Sequence, residues 1–295
     1  MTAAIGRLGV FAMIDEMTAG AAAALAQRVE RWGYGALWIP EAFGNPLVKA
    51  SWLLGQTRRL TLATGIANIY ARDPLATFNA QYWLNEQSGG RFLLGLGVSH
   101  SPLVEGVRGH VYEKPLPAMR GYLAAMAAAT YNGPPPPAKP QTVLGALGPK
   151  MLEMAGRQAD GAHPYNVTPA HTAQARAILG PGKQLCPEQM VLLETSATEA
   201  RRIGRSVVGR YLGFPNYCNN FLRMGFTEDD LAGGGSDRLV DSLIAWGDER
   251  AIRARIEEHW AAGADHVCIQ AIARERLTPS QEEEKILELL APLEQ

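Results

Sequence analysis

The chain has 295 residues, 47% of them hydrophobic, which is enough for one large core or two smaller ones. Its 28 basic and 29 acidic residues leave a formal charge of −1, a balance that points away from nucleic acid and from anionic membrane surfaces. No apolar run approaches the roughly 18 residues of a membrane span. The N-terminal MTAAIGRLGVF lacks the pattern of a signal peptide, and Cys186, Cys218 and Cys268 are widely spaced and odd in number, which fits a reducing cytoplasm rather than a disulfide or zinc framework.

Residues 8–12 form the first predicted strand. Thr18 caps a helix to about Trp32, with an apolar stripe at Ala22, Leu25, Ala26 and Val29 and a stop at Gly33. Residues 36–39 are strand two, running into Pro40 and Glu41, and a short helix covers 47–55. Residues 60–67 are strand three. Asp73 and Pro74 then supply an N-cap and a first-turn proline for a helix to Ser88, which Gly89 and Gly90 end. Residues 92–96 are strand four, and Pro115 or Pro117 opens an alanine-rich helix to Tyr131. After the stiff proline-rich connector 133–140 come strand five (142–145), a helix from Pro149, strand six (161–164) and a helix from Thr168-Pro169 closed by the glycines at 180–182. Residues 190–194 are strand seven, and Thr198 and Glu199 open a long helix to Leu212. Residues 213–247 break the rhythm and predict one or two extra helices, the second capped by Ser236 or Asp237. Asp248 caps another helix, 266–270 are strand eight, and Thr278-Pro279 opens a C-terminal helix.

Eight strands alternating with helices predict an α/β fold: a single (β/α)8 TIM barrel spanning 1–295, with an insertion near strand seven at about 213–247. An open doubly wound sheet would need a G-x-G-x-x-G turn after strand one, and IGRLGVF overlaps that strand instead. In a barrel the site lies on the loops beyond the strands' C-terminal ends. Glu41, His100, His163 and Glu194 are the proton-transfer candidates there, each with an equally plain structural role: Glu41 as a helix cap, His100 bonding loop backbone. Gly65 and Gly97 end strands where backbone and ligand can approach closely. Gly148-Pro149 begins a helix directly after strand five, where free N–H groups and the positive helix end suit a phosphate. Lys150 adds charge there or faces solvent, and Thr168 binds ligand or caps its helix. There is no H-E-x-x-H, G-x-S-x-G or Walker pattern, and no metal site is expected. So few acid–base groups converge that the difficult chemistry is assigned to a bound cofactor.

The segments RVERWGYGALWIPE (28–41), LATGIANIYARDP (62–74), GGRFLLGLGVSH (89–100), LGPKMLEMAGRQADGAHPYNVTPAHT (147–172) and GDERAIRARIEEHWAAGADHVCIQ (247–270) resemble the luciferase-like monooxygenase superfamily, and most closely its branch that uses the deazaflavin coenzyme F420. The resemblance implies a (β/α)8 barrel holding the cofactor ring at its mouth. It places Gly65 and Ile66 at a third-strand bulge that supports the ring, often through a cis peptide bond. Asn68 falls in the third-strand loop, Gly97 and Val98 at the fourth-strand end, and Ala146, Leu147, Gly148 and Pro149 in the phosphate-binding turn. It puts Glu41 where relatives contact ring or substrate. It departs from the family's sugar dehydrogenases, whose acid–base histidine after strand two is replaced here by Pro40-Glu41-Ala42. The implied function is hydride transfer between F420 and a small organic substrate. The alternatives are an FMN-dependent two-component monooxygenase and a non-catalytic flavin-binding barrel. Family members commonly form homodimers, for which Trp52, Tyr82 and Trp83 on early helices are the sequence's scattered support.

Overall fold

A computed structural model describes residues 5–273 and 279–292. Strand β1 (Leu8–Phe11) is followed by α1 (Ala19–Arg31), β2 (Ala36–Ile39), α2 (Pro46–Gln56), β3 (Thr61–Thr64), β4 (Ala67–Asn68), α3 (Pro74–Ser88) and β5 (Phe92–Gly97). The caps are those the residue types dictate. Thr18 accepts from Ala21 N, Asp73 accepts from Ala76 N, and Gly89 takes the left-handed conformation at φ 67° that ends α3. Then come α4 (Pro115–Ala128), β6 (Gln141–Leu144), α5 (Pro149–Gln158), β7 (Gly161–Ala162), α6 (Pro169–Leu179), β8 (Gln184–Leu185) and β9 (Glu188–Leu193). The remainder is α7 (Ala197–Tyr211), α8 (Pro215–Arg223), α9 (Glu228–Leu231), α10 (Asp237–Leu243), β10 (Ile244–Gly247), α11 (Glu249–Ala261), β11 (Val267–Ala271) and α12 (Gln281–Leu289).

Every strand pair is parallel. β3 and β4 are one stave interrupted at Gly65-Ile66, both pairing with β5. β8 and β9 are likewise one bent stave broken only at Cys186-Pro187. Its start pairs with β7 and its remainder with β11. Because β11 in turn pairs with β1, eight staves close into a barrel. Phe11, Trp38, Ala63, Leu93, Val143, Cys186 and Cys268, one inward residue from each of seven staves, fill its interior. The alternate, outward residues pack under the helices in a second, larger apolar layer.

Several details differ from expectation. Ser196, not Thr198, caps α7, because its side chain accepts from Glu199 N. α4 stops at Ala128 rather than Tyr131. The 213–247 segment forms α8, α9 and α10 (capped by Ser236), and then a strand that periodicity did not signal: β10 pairs with the outer flank of β9 at Met190–Leu193. A π-helical turn at Pro102–Val107 was also unsignalled. Ser280 caps α12, while Thr278, the expected cap, lies outside the described residues.

Candidate active site

A cavity of about 940 Å³ opens at the C-terminal ends of the staves, under the end of α7 and α8. Glu41, Gly65, Ile66, Gly97, Val98, His100, Ala146, Leu147, Gly148 and Pro149 all line it. Asn68 and Thr168 are not among its lining residues. Asn68 is buried beneath the third-strand loop, its side chain accepting from Tyr70 N, and Thr168 caps α6 by accepting from His171 N. Glu194 is spent on the turn before α7, accepting from Ser196 N.

The third stave builds the floor. The Gly65–Ile66 peptide bond is cis. A Cβ on Gly65 would lie 2.9 Å from both Phe11 and His163 Nε2, so only glycine fits. The Ile66 side chain lies over Gly97 and Gly145, where added Cβ atoms would run into it. The strand-end glycines of the fourth and fifth staves therefore accommodate Ile66 as well as any ligand. His163 is stacked on Trp38 at 4.4 Å, and its Nδ1 donates to Cys186 O at 2.7 Å, which leaves Nε2 as a buried acceptor without a partner. Burial pushes the His163 imidazole down to about 4, so it is neutral at physiological pH.

Glu41 and His100 sit in contrasting surroundings. The Glu41 carboxylate is fully engaged: Arg72 donates twice, at 2.6 and 3.0 Å, Arg108 donates at 3.2 Å, and Asn68 N donates at 2.7 Å. Its geometry is that of a clamp joining the second and third staves to the π-helical turn. His100 lies on the cavity wall, stacked on Phe214 at 4.3 Å, with Nδ1 3.1 Å from Asn216 Oδ1. Nδ1 donates in that pair, Nε2 is left as acceptor, and burial lowers the imidazole's pKa.

At the other end, Gly148 is the N-cap of α5 and has no side chain to satisfy the first helical N–H groups. A Cβ there would lie 3.5 Å from the Arg223 guanidinium of α8, and Lys150 is on the first turn. Bare N–H groups, the positive helix end and two cations make an anion site. Sequence reasoning missed Arg72, Arg108 and Arg223. Arg72 stands inside the quoted 62–74 segment, but nothing local marks Arg108 as reaching Glu41 or Arg223 as reaching the cavity.

Known proteins share this architecture. The profile of the luciferase-like monooxygenase family matches residues 6–180. A Mycobacterium tuberculosis protein named, by inference, a coenzyme F420-dependent oxidoreductase is 25% identical over 86% of this chain and 92% of its own. The coenzyme F420-dependent tetrahydromethanopterin reductase of Methanopyrus kandleri superposes with a TM-score of 0.77 at 19% identity, covering 97% of each chain. The oxygenating constituent of 3,6-diketocamphane monooxygenase from Pseudomonas putida, solved with FMN, superposes with a TM-score of 0.65 at 15% identity, covering 97% of this chain and 96% of its own. These relatives are oxidoreductases and monooxygenases, and a family match across more than half of the chain, with the fold shared, makes this protein an enzyme of the luciferase-like monooxygenase family.

Proposed function

We propose that this enzyme binds the deazaflavin coenzyme F420 and passes a hydride between it and a small organic substrate. The observation that carries the reading is a single cavity joining an anion-binding helix start at Gly148 to a glycine floor at Gly65. The residues fit such a group. Backbone N–H groups at 146–148 and 150, with the side chains of Arg223 and Lys150, would hold its phosphate, and the Gly65-Ile66 ridge with Gly97 and Val98 would support its ring. The bare acceptor His163 Nε2 lies in that floor. When bound, a deazaflavin supplies a ring carbon that gives or takes a hydride. The protein's own part is positioning and proton transfer. Glu41, tied to Arg72 and Arg108, fixes the third-strand loop. His100 Nε2 accepts a proton from a substrate hydroxyl, or returns one, while Asn216 holds the ring. The F420-dependent relative that matches 86% of this chain and the higher superposition score of the F420-dependent reductase favour the deazaflavin.

FMN-dependent monooxygenation is the second reading, favoured by the FMN-bound neighbour, whose ring and phosphate would fit the same floor and helix start. Calorimetric titration of the cofactor-free protein with F420 and with FMN separates the two. We expect tighter binding of F420, weakened about tenfold or more by Gly148→Asp through charge repulsion at the helix start. Preference for FMN overturns the first reading.

The exposed Val48, Trp52, Leu75 and Trp83 on the adjoining helices α2 and α3 support a homodimer. Tyr82, by contrast, packs against Phe78 and Tyr131. Light scattering that gives the mass of one chain at all concentrations would exclude the dimer. No helix among the described residues is long and apolar enough to cross a membrane, and the buried free thiols of Cys186 and Cys268 suit a reducing cytoplasm.

A further inference from the structure

One side of the cavity is a continuous surface of rings. Phe11 on β1 meets Tyr165 after β7 with centroids 5.2 Å apart, Tyr165 meets Tyr211 at the end of α7 at 5.4 Å, and Tyr211 meets Tyr217 on α8 at 5.1 Å. His100, after β5, stacks on Phe214 at 4.3 Å and lies 5.6 Å from Tyr217. All six border the cavity. Rings supplied by two staves' loops, β1, α7 and the insertion thus converge on open space.

The polar atoms of this wall have a definite sense. Tyr165 donates its hydroxyl proton to Gln270 Oε1 at 2.7 Å, so Tyr211, 2.6 Å away, donates to Tyr165. With the Tyr165 and Tyr211 protons committed and His100 Nδ1 turned to Asn216, these groups offer only oxygen lone pairs and His100 Nε2, while the Tyr217 hydroxyl can donate as well as accept. Charge among the described lining residues lies at the margins of this wall. Lys150 and Arg223 flank the start of α5, the exposed Arg210 stands beside Tyr211, and Glu41 is paired with two arginines.

We propose that the substrate is an uncharged, planar compound, aromatic or conjugated, whose hydroxyl is received by His100 Nε2 while its ring lies on Phe214 and Tyr217. Offset or edge-on ring contacts favour a flat π-system over a saturated ring of equal size. This rests on the proposed function only in giving the start of α5 to the cofactor's phosphate.

The test is calorimetric titration of the F420-saturated protein with three probes: 2-naphthol, its fully saturated analogue decahydro-2-naphthol, and glucose 6-phosphate. The expected result is 2-naphthol binding about tenfold more tightly than the saturated alcohol and no saturable binding of the sugar phosphate. Phe214→Leu, which keeps apolar bulk and loses the ring, should bring the two alcohols within about threefold of one another while the circular dichroism stays parental. If that variant does not fold, Tyr217→Leu is read in the same way. Equal affinity for the two alcohols, or glucose 6-phosphate binding as tightly as 2-naphthol, overturns the proposal. The same titrations without cofactor keep the two readings apart. Protein that takes up neither F420 nor FMN but still ranks the probes in this order overturns the cofactor reading and supports the wall.

Discussion

Two carboxylates, both almost wholly buried, occupy the second and seventh staves and live by opposite physics. Glu41, 7% exposed, meets two guanidinium groups and a backbone N–H. Glu188, 1% exposed, receives one long hydrogen bond from Asn166 N at 3.3 Å, and its Oε1 has no partner. Tyr165, Tyr211, Tyr217 and Cys268 are the groups an ionised Glu188 would act on, and none of them is a cation. Burial therefore pushes the Glu188 carboxyl up to about 8, so the folded protein keeps it protonated at neutral pH. Equal burial yields a structural ion in one place and a neutral acid in the other, and the presence of arginine is the difference.

The largest effect that would sharpen this contrast is a pH slope. Glu188 holds its proton in the folded state up to about 8, whereas the unfolded chain releases it near the ordinary carboxyl value of 4.5. A raised carboxyl favours folding fully at low pH, and that contribution is lost as pH rises from about 4.5 through about 8. The limiting slope is about 1.4 kcal/mol per pH unit, roughly 5 kcal/mol across the window at most. Glu188→Gln removes it. Urea unfolding at pH 5, 7 and 9 should show the variant gaining on the parent with each step. Parallel curves would mean that the Glu188 carboxyl is ionised in the folded protein.

Neither carboxylate's state was legible in the sequence, and the reason is physical. Helix starts and stops are written locally: Thr18, Asp73-Pro74 and Gly89 act on neighbours within four residues and were readable as they stood. The same holds for Gly148-Pro149 at the start of α5, and for alternation of strands and helices, which sufficed for the barrel. Glu41 is set by Arg72 and Arg108, 31 and 67 residues away. Glu188 is set by the absence of such partners around an inward position, which only the closed barrel defines. Its strand, too, was placed two residues late, because Pro187 breaks the stave and β8 has only two residues to show a period. β10 escaped for a related reason, since Ile244–Gly247 continues directly from α10 with no turn between them.

Glu41→Gln should cost about 3 kcal/mol or somewhat more, because two partly buried guanidinium groups lose their counter-ion. The loss should appear as a lower urea midpoint with an unchanged denaturant slope. Cofactor affinity should fall with it, since Asn68 N and the third-strand loop lose their anchor. A variant as stable as the parent would mean that the clamp contributes nothing net and that Glu41 is free for chemistry.

The smallest effect tests which arginine carries the clamp. Arg72 donates to both carboxylate oxygens and its side chain is 12% exposed, whereas Arg108 donates once, at 3.2 Å, and is 24% exposed. A single, longer bond from a more solvated group is worth less than a bidentate pair. Arg108→Gln leaves Glu41 with Arg72 and the Asn68 N–H, so no buried charge is stranded. The expected loss is about 1 kcal/mol or less, and it should shrink further in added salt, which screens the exposed partner first. A loss equal to that of Glu41→Gln would show that the carboxylate needs both cations, and that Arg108, through the turn at 102–107, couples the cavity's entrance to its floor.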